Sequence, residues 1–123
     1  MEKTLVTIVI GTRPEAIKLC PLVIAFKKSN KLKSRIILTG QHNEMVLNIL
    51  DLFNIKEDLN LDILKKGQDL IDIDYLVKTG LRSDFKQNKP SLLVVQGDTS
   101  SAFSAAMTGF FFKVPVAHVE AGL

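Results

Sequence analysis

The chain predicts a doubly wound, Rossmann-like α/β domain with a parallel sheet, and three observations predict it. Leu5–Ile10 and Leu92–Gln96 are near-continuous aliphatic runs, as strands covered on both faces require. Stretches with apolar residues at helical spacing separate the strand-like runs. The strand-like runs end in polar turns, several of them glycine-containing, which is where crossover helices begin. Strict alternation of strand and helix selects parallel strands joined by right-handed crossovers.

The first strand, Leu5–Ile10, ends at Gly11. Thr12 and Glu15 stand at capping-box spacing and Pro14 falls in the first turn, so a helix is expected from Pro14 to Lys28. Its buried side is read as Ile17, Leu22, Ala25 and Phe26, with a kink at Pro21. A second strand spans Arg35–Leu38. A helix over Asn43–Phe53 carries Met45, Val46, Ile49, Leu50 and Phe53 on its apolar side. Asn60–Leu64 reads as a weaker strand. Leu70–Gln87 reads as a helix through Leu70, Ile73, Val77, Leu81 and Phe85, with Gly80 costing about 1 kcal/mol against alanine. Strand Leu92–Gln96, helix Ser100–Phe112 and strand Val114–Val119 complete the order.

With 123 residues the chain has the length of one domain, residues 1–123. Apolar residues make up 46% and charged residues 24%, enough for one core. The net charge of +3 is spread along the chain, without the basic stripe of a nucleic-acid binder. A lone cysteine, Cys20, makes no internal disulfide. No apolar run is long enough to span a bilayer, and Met1–Thr4 lacks the features of a signal peptide. These readings point to a cytoplasmic setting with no nucleic-acid or membrane partner.

Open parallel sheets bind ligands at the carboxyl ends of their strands. Polar residues gather there from four strands: Gly11–Glu15, Thr39–His42, Gly97–Thr99 and Glu120. Arg13 lies in a turn at a helix N-terminus and suits an anion, or pairs with Glu15 or Asp98 for structure. Lys18, one turn further on, faces the same anion or solvent. Asp98 is an N-cap or an acid/base group. Glu120 follows a buried strand beside Ala121 and Gly122. Burial and the nearby Asp98 are expected to raise its pKa, so that two carboxylates divide acid and base work. His42 is a hydrogen-bonding or proton-transfer candidate, and His118 reads as a packed core histidine. Neither histidine has partners at metal-ligand spacing. The turn after strand one matches neither GxGxxG nor a Walker loop. Phe110–Phe112 reads as core or domain-contact packing.

Four segments, GTRPEAIKLCPL (Gly11–Leu22), TGQHNEM (Thr39–Met45), QGDTSSAF (Gln96–Phe103) and PVAHVEAGL (Pro115–Leu123), resemble the non-hydrolysing UDP-N-acetylglucosamine 2-epimerases in order and spacing. The resemblance implies one wall of a two-domain, GT-B-like cleft. There UDP-N-acetylglucosamine and UDP-N-acetylmannosamine interconvert by removal of the C2 proton, expulsion of UDP and its re-addition, for polysaccharide precursors. It implies no metal or redox cofactor. By motif, Asp98 and Glu120 resemble the family's catalytic carboxylates and Arg13 and Lys18 residues near the nucleotide or sugar. Gln41 and His42 resemble substrate-cleft or regulatory residues. Gly67 stands where allosterically activated members carry an arginine, and Gln96 replaces a common histidine. The family continues past the position of Leu123 with an arginine, a further glutamate, a histidine and the main UDP-binding domain. The resemblance therefore implies an N-terminal fragment that turns over poorly or not at all alone, from a family that is usually homodimeric. The alternative is a non-catalytic module that binds nucleotide-sugar or pairs with another chain; a domain sharing only the fold is a more distant reading.

Overall fold

A computed structural model describes residues 2–120. Five strands, β1 (Thr4–Ile10), β2 (Leu32–Leu38), β3 (Leu59–Asn60), β4 (Leu92–Gln96) and β5 (Val116–Val119), alternate with α1 (Arg13–Lys28), α2 (Asn43–Leu52), α3 (Leu70–Gln87) and α4 (Ser100–Phe111). The sheet order is β3-β2-β1-β4-β5 and every pairing is parallel. This is the doubly wound arrangement expected. The chain runs outward from β1 to β3, returns, and runs outward the other way through β4 and β5. The reversal places the topological switch point between β1 and β4.

The period of two along β1 explains the two cores. Val6, Ile8 and Ile10 face Ala16, Leu19, Cys20 and Val23 of α1 and Val46, Ile49 and Leu50 of α2. Val9, with Leu93 and Val95 of β4, faces Val77, Leu81 and Phe85 of α3 and Ala102 and Ala105 of α4. Each buried Val, Leu, Ile or Phe among them contributes about 1.5–3 kcal/mol. Phe85 meets Phe112 edge to face, with centroids 5.6 Å apart.

Several expectations are corrected. The buried stripe of α1 is Glu15, Ala16, Leu19, Cys20 and Val23; Ile17 and Ala25 are exposed, while Leu22 and Phe26 pack at the core margin. The apolar residues of α1 outnumber the positions the sheet covers, so composition alone does not pick the buried face. α1 runs without a break through Pro21, which lies on its exposed side. Met45 and Leu70 are exposed at the starts of their helices, beyond the sheet they were expected to cover. β2 starts at Leu32 because the β1 ladder continues in register from Thr4↔Leu32 despite polar side chains. β3 stops after Asn60 because Asp62 takes a left-handed backbone, φ 53°. β5 starts only at Val116, since Pro115 has no N–H to give the ladder. Of the phenylalanine cluster only Phe112 joins the core; Phe110 and Phe111 are exposed.

The two helix starts beside the switch point are not capped as expected. Thr12 is the N-cap of α1, but its side chain makes no capping bond. The Glu15 carboxylate accepts instead from the Gly11 N–H, one residue earlier than a capping box requires. Asp98 is not the N-cap of α4: Thr99 is, and its hydroxyl accepts from the Ala102 N–H at 3.1 Å. A reciprocal capping box does form on α3, between Asp69 and Asp72.

Candidate functional site

A cavity of about 360 Å³ opens at the carboxyl ends of β1, β4 and β5. Thr12, Pro14 and Glu15 line it from the β1–α1 turn, Gln96, Gly97, Asp98 and Thr99 from the β4–α4 turn, and His118 and Glu120 from β5. The two turns flank the switch point, so the sheet topology brings together residues that are more than 80 positions apart, as in the Thr99–Glu15 hydrogen bond. Gly97 carries φ 76°, the left-handed conformation that glycine adopts without strain, and this lets β4 turn sharply into α4.

The Glu120 carboxylate is held by two side chains. Both its oxygens accept from the Lys18 Nζ, and Oε2 also accepts from the Gln96 Nε2 at 2.8 Å. Its own backbone is left-handed, φ 57°, a conformation costing a non-glycine residue about 1 kcal/mol. The Lys18 ammonium holds the Glu120 carboxyl below the ordinary glutamate value; residual desolvation opposes this and Gln96 adds to it. The expected upward shift is therefore reversed. Glu120 is exposed rather than buried, and its nearest charge is a cation rather than Asp98. Ala121 and Gly122, expected beside it, lie outside the described residues.

Asp98 is exposed at the mouth of the cavity, immediately before the cap of α4. Arg13 is the first residue of α1, exposed next to the cavity-lining Thr12 and Pro14. It makes no ion pair with Glu15 or Asp98 among the described residues, so the structural pairing left open for it is not formed. Lys18 is neither a free surface lysine nor a lining residue; it reaches the site through Glu120.

Gln41 and His42 stand on the neighbouring β2–α2 turn, outside the lining of this cavity. The Gln41 Oε1 accepts from the Ser101 hydroxyl at 2.7 Å, tying that turn to α4. His42 is exposed as the N-cap residue of α2. His118 corrects a second expectation: it is exposed, and its Nε2–H donates to the Gly97 carbonyl at 2.5 Å. β5 is the outermost strand of this side, so its alternate residues face solvent at the cavity instead of a core. Among the described residues no three His, Cys, Asp or Glu side chains stand together as a metal site.

Residues 24–123 match the family model for UDP-N-acetylglucosamine 2-epimerase. The chain belongs to the UDP-N-acetylglucosamine 2-epimerase family. This is a family of isomerases. The epimerase of Yersinia pestis is 45% identical over 115 residues, 94% of this chain and 31% of that protein. The Bacillus subtilis epimerase is 42% identical over 123 residues, covering 100% of this chain and 32% of its own length. The Neisseria meningitidis UDP-GlcNAc 2-epimerase bound to UDP-GlcNAc superposes with a TM-score of 0.93 at 41% identity, over 98% of this chain and 32% of that one. The Methanocaldococcus jannaschii epimerase in complex with UDP-GlcNAc and UDP gives 0.90 at 32% identity, over 98% and 33%. The chain thus spans about a third of the length of the relatives it matches.

In this epimerase-family chain, sequence reasoning overlooked Gln96 and His118 as parts of the site, and placed Glu15 and Thr99 at its edge without a role. Glu15 is only 2% exposed, and burial pushes its carboxyl above the ordinary value. Hydrogen bonds from Thr12, Gly11 and Thr99 and the charge of His42 pull in the opposite direction. The capping-box spacing masked this role. No helix among the described residues is long and apolar enough to cross a membrane.

Proposed function

We propose that the cavity is the catalytic wall for epimerisation at C2 of UDP-N-acetylglucosamine, and that the chain acts as the N-terminal, Rossmann-like third of a two-domain cytoplasmic epimerase. The observation that carries the reading is the Glu120 carboxylate, held ionised by Lys18 and Gln96 at the carboxyl edge of the sheet, with Asp98 on the same cavity. An ionised carboxylate accepts a proton and does not donate one, so Glu120 is assigned the C2 proton. The electron pair of the broken C2–H bond forms the C1–C2 double bond. The C1–O bond breaks, leaving UDP and a 2-acetamidoglucal. Addition of UDP back to C1, with a proton delivered to the opposite face of C2, completes the change.

Asp98 is assigned as the second catalytic carboxylate, in contact with the sugar on the same cavity. Arg13 at the positive end of α1 and Lys18 beside Glu120 are assigned to the anionic diphosphate. Gln41 and His42 are assigned to the flank of the cleft, where the Ser101 bond fixes their turn. The open face of the cavity is completed, in this reading, by a second domain. Homodimer formation is part of the proposal, supported by the exposed Leu70, Ile71, Tyr75 and Phe103 of α3 and α4.

The test is a chimera in which this chain replaces the matching third of the Bacillus subtilis epimerase. The chimera is expected to incorporate deuterium from solvent at C2 of UDP-N-acetylglucosamine, and Glu120→Gln and Asp98→Asn to lose that exchange. A folded chimera that binds UDP-N-acetylglucosamine but exchanges nothing, or variants that exchange as well as their parent, would sink the reading.

A further inference from the structure

We propose that Glu15 is a positioning residue whose carboxylate locks the β1–α1 turn to the β4–α4 turn and so sets the placement of Arg13 relative to Asp98. Its Oε1 accepts from the Gly11 N–H at 3.0 Å. Its Oε2 accepts from the Thr12 hydroxyl at 2.8 Å and from the Thr99 hydroxyl at 3.0 Å. Capping needs only partners from the residue's own helix end, but Thr99 belongs to a turn 84 positions away. The Thr99 oxygen meanwhile accepts from the Ala102 N–H, so the lock continues into the first turn of α4.

All three partners of Glu15 are donors, and an ionised carboxylate is the acceptor-only group that satisfies them together. Arg13 directly follows Thr12, and Asp98 directly precedes Thr99. The turns meet without slack: a side-chain carbon at Gly11 would stand 3.0 Å from the Ser101 Cβ and 3.1 Å from the Thr39 Oγ1. The charged and titratable groups around the carboxylate are His42 on the β2–α2 turn, Arg13 and Lys18 on α1, Asp98 before α4, and His118 and Glu120 from β5. None of them donates a hydrogen bond to Glu15. The inference rests on the proposed function only for what the cavity holds.

The lock is tested on the ligand-free chain by NMR, following the Glu15 carboxyl carbon and the backbone amides through an acid titration. The Gly11, Asp98 and Thr99 amides are expected to move with the midpoint of the Glu15 carboxyl, and that shared transition is expected to vanish in Glu15→Gln. Glu15 titrating while the Asp98 and Thr99 amides stay fixed overturns the lock, as does an unchanged transition in Glu15→Gln. Thr99 variants give an independent arm: Thr99→Ser, which keeps the hydroxyl, is expected to retain the transition at Asp98, and Thr99→Val to lose it while Gly11 keeps its own. Retention in Thr99→Val overturns the lock. Shared titration in this chain, together with a folded Bacillus subtilis chimera that exchanges nothing at C2, supports the lock and overturns the reading of the cavity.

Discussion

The Lys18 ammonium bridges both oxygens of the Glu120 carboxylate, joining the second turn of α1 to the end of β5 across 102 positions of sequence. The side chains are 43% and 49% exposed, so the pair adds little to stability and acts on the protonation of Glu120 instead. Lys18→Met removes the largest influence holding that carboxyl low. The Glu120 carboxyl carbon is expected to titrate at higher pH in the variant. A lowered carboxyl contributes stability above its unfolded value and loses it as pH falls through the folded value, so the variant also loses less stability in acid. An unchanged NMR midpoint would show that Lys18 does not control Glu120.

Glu15 carries the opposite sign. Its folded pKa is raised by burial, so its contribution is fully present below the unfolded value, about 4.3 for glutamate, and is lost as pH rises through the folded value. Urea unfolding of the native chain and Glu15→Gln across that window is expected to show the native chain losing stability relative to the variant as pH rises. A difference that is flat with pH, or that grows in favour of the native chain, contradicts the raised value.

Arg35 of β2 and Asp84 of α3 form an ion pair at 2.5 Å, with side chains only 19% and 5% exposed. Asn88 adds a weaker bond to the same Asp84 oxygen, at 3.3 Å. Arg35→Ala leaves a buried carboxylate without its cation and is expected to cost about 3 kcal/mol. Arg35→Met combined with Asp84→Leu is expected to cost less than Arg35→Ala, since no charge is then buried alone. Denaturant unfolding checks both, and a double variant worse than the single one would contradict the argument.

Gly40 has φ 84°, and a side-chain carbon there would lie 2.5 Å from the Asp62 Cα and 2.7 Å from its backbone nitrogen. Gly40→Ala combines left-handed strain with a clash against main chain, an expected loss of about 2 kcal/mol or more. The amide resonances of Gln41 and Asp62 should shift with it. A midpoint in urea equal to that of the native chain would refute the clash.

Cys20 is fully buried, and burial pushes its thiol up to about 11. A thiol that is neither ionised nor accessible does not react. Ellman's reagent is expected to leave Cys20 unmodified in the native chain and to modify it on unfolding in urea. Rapid native modification would place Cys20 at an accessible surface.

The strands and their alternation with helices were legible in the sequence because a strand covered on both faces must be apolar along its whole length. Leu5–Ile10 and Leu92–Gln96 therefore declare themselves without partners. The glycine turns and the motifs at the strand ends were legible for a similar local reason: a sharp turn out of a strand restricts the residues at its own position. The bounds of the two edge strands were not. β3 is cut short after Asn60 by a left-handed Asp62, and β5 is too short and too exposed at His118 to show its period.

The electrostatics of the site were decided only by the tertiary structure. Local sequence placed Glu120 after a buried strand and Glu15 in a cap, but an ionisable group takes its proton affinity from what surrounds it in space. Lys18 reaches Glu120 across 102 positions and lowers its pKa, while Thr99 reaches Glu15 across 84 and binds two turns together. By itself the sequence determined which residues lie at the carboxyl edge, since the succession of elements along the chain and the turn chemistry are local properties. Which of those residues touch depended on the order of strands in the sheet, which places β4 between β1 and β5 and closes those distances.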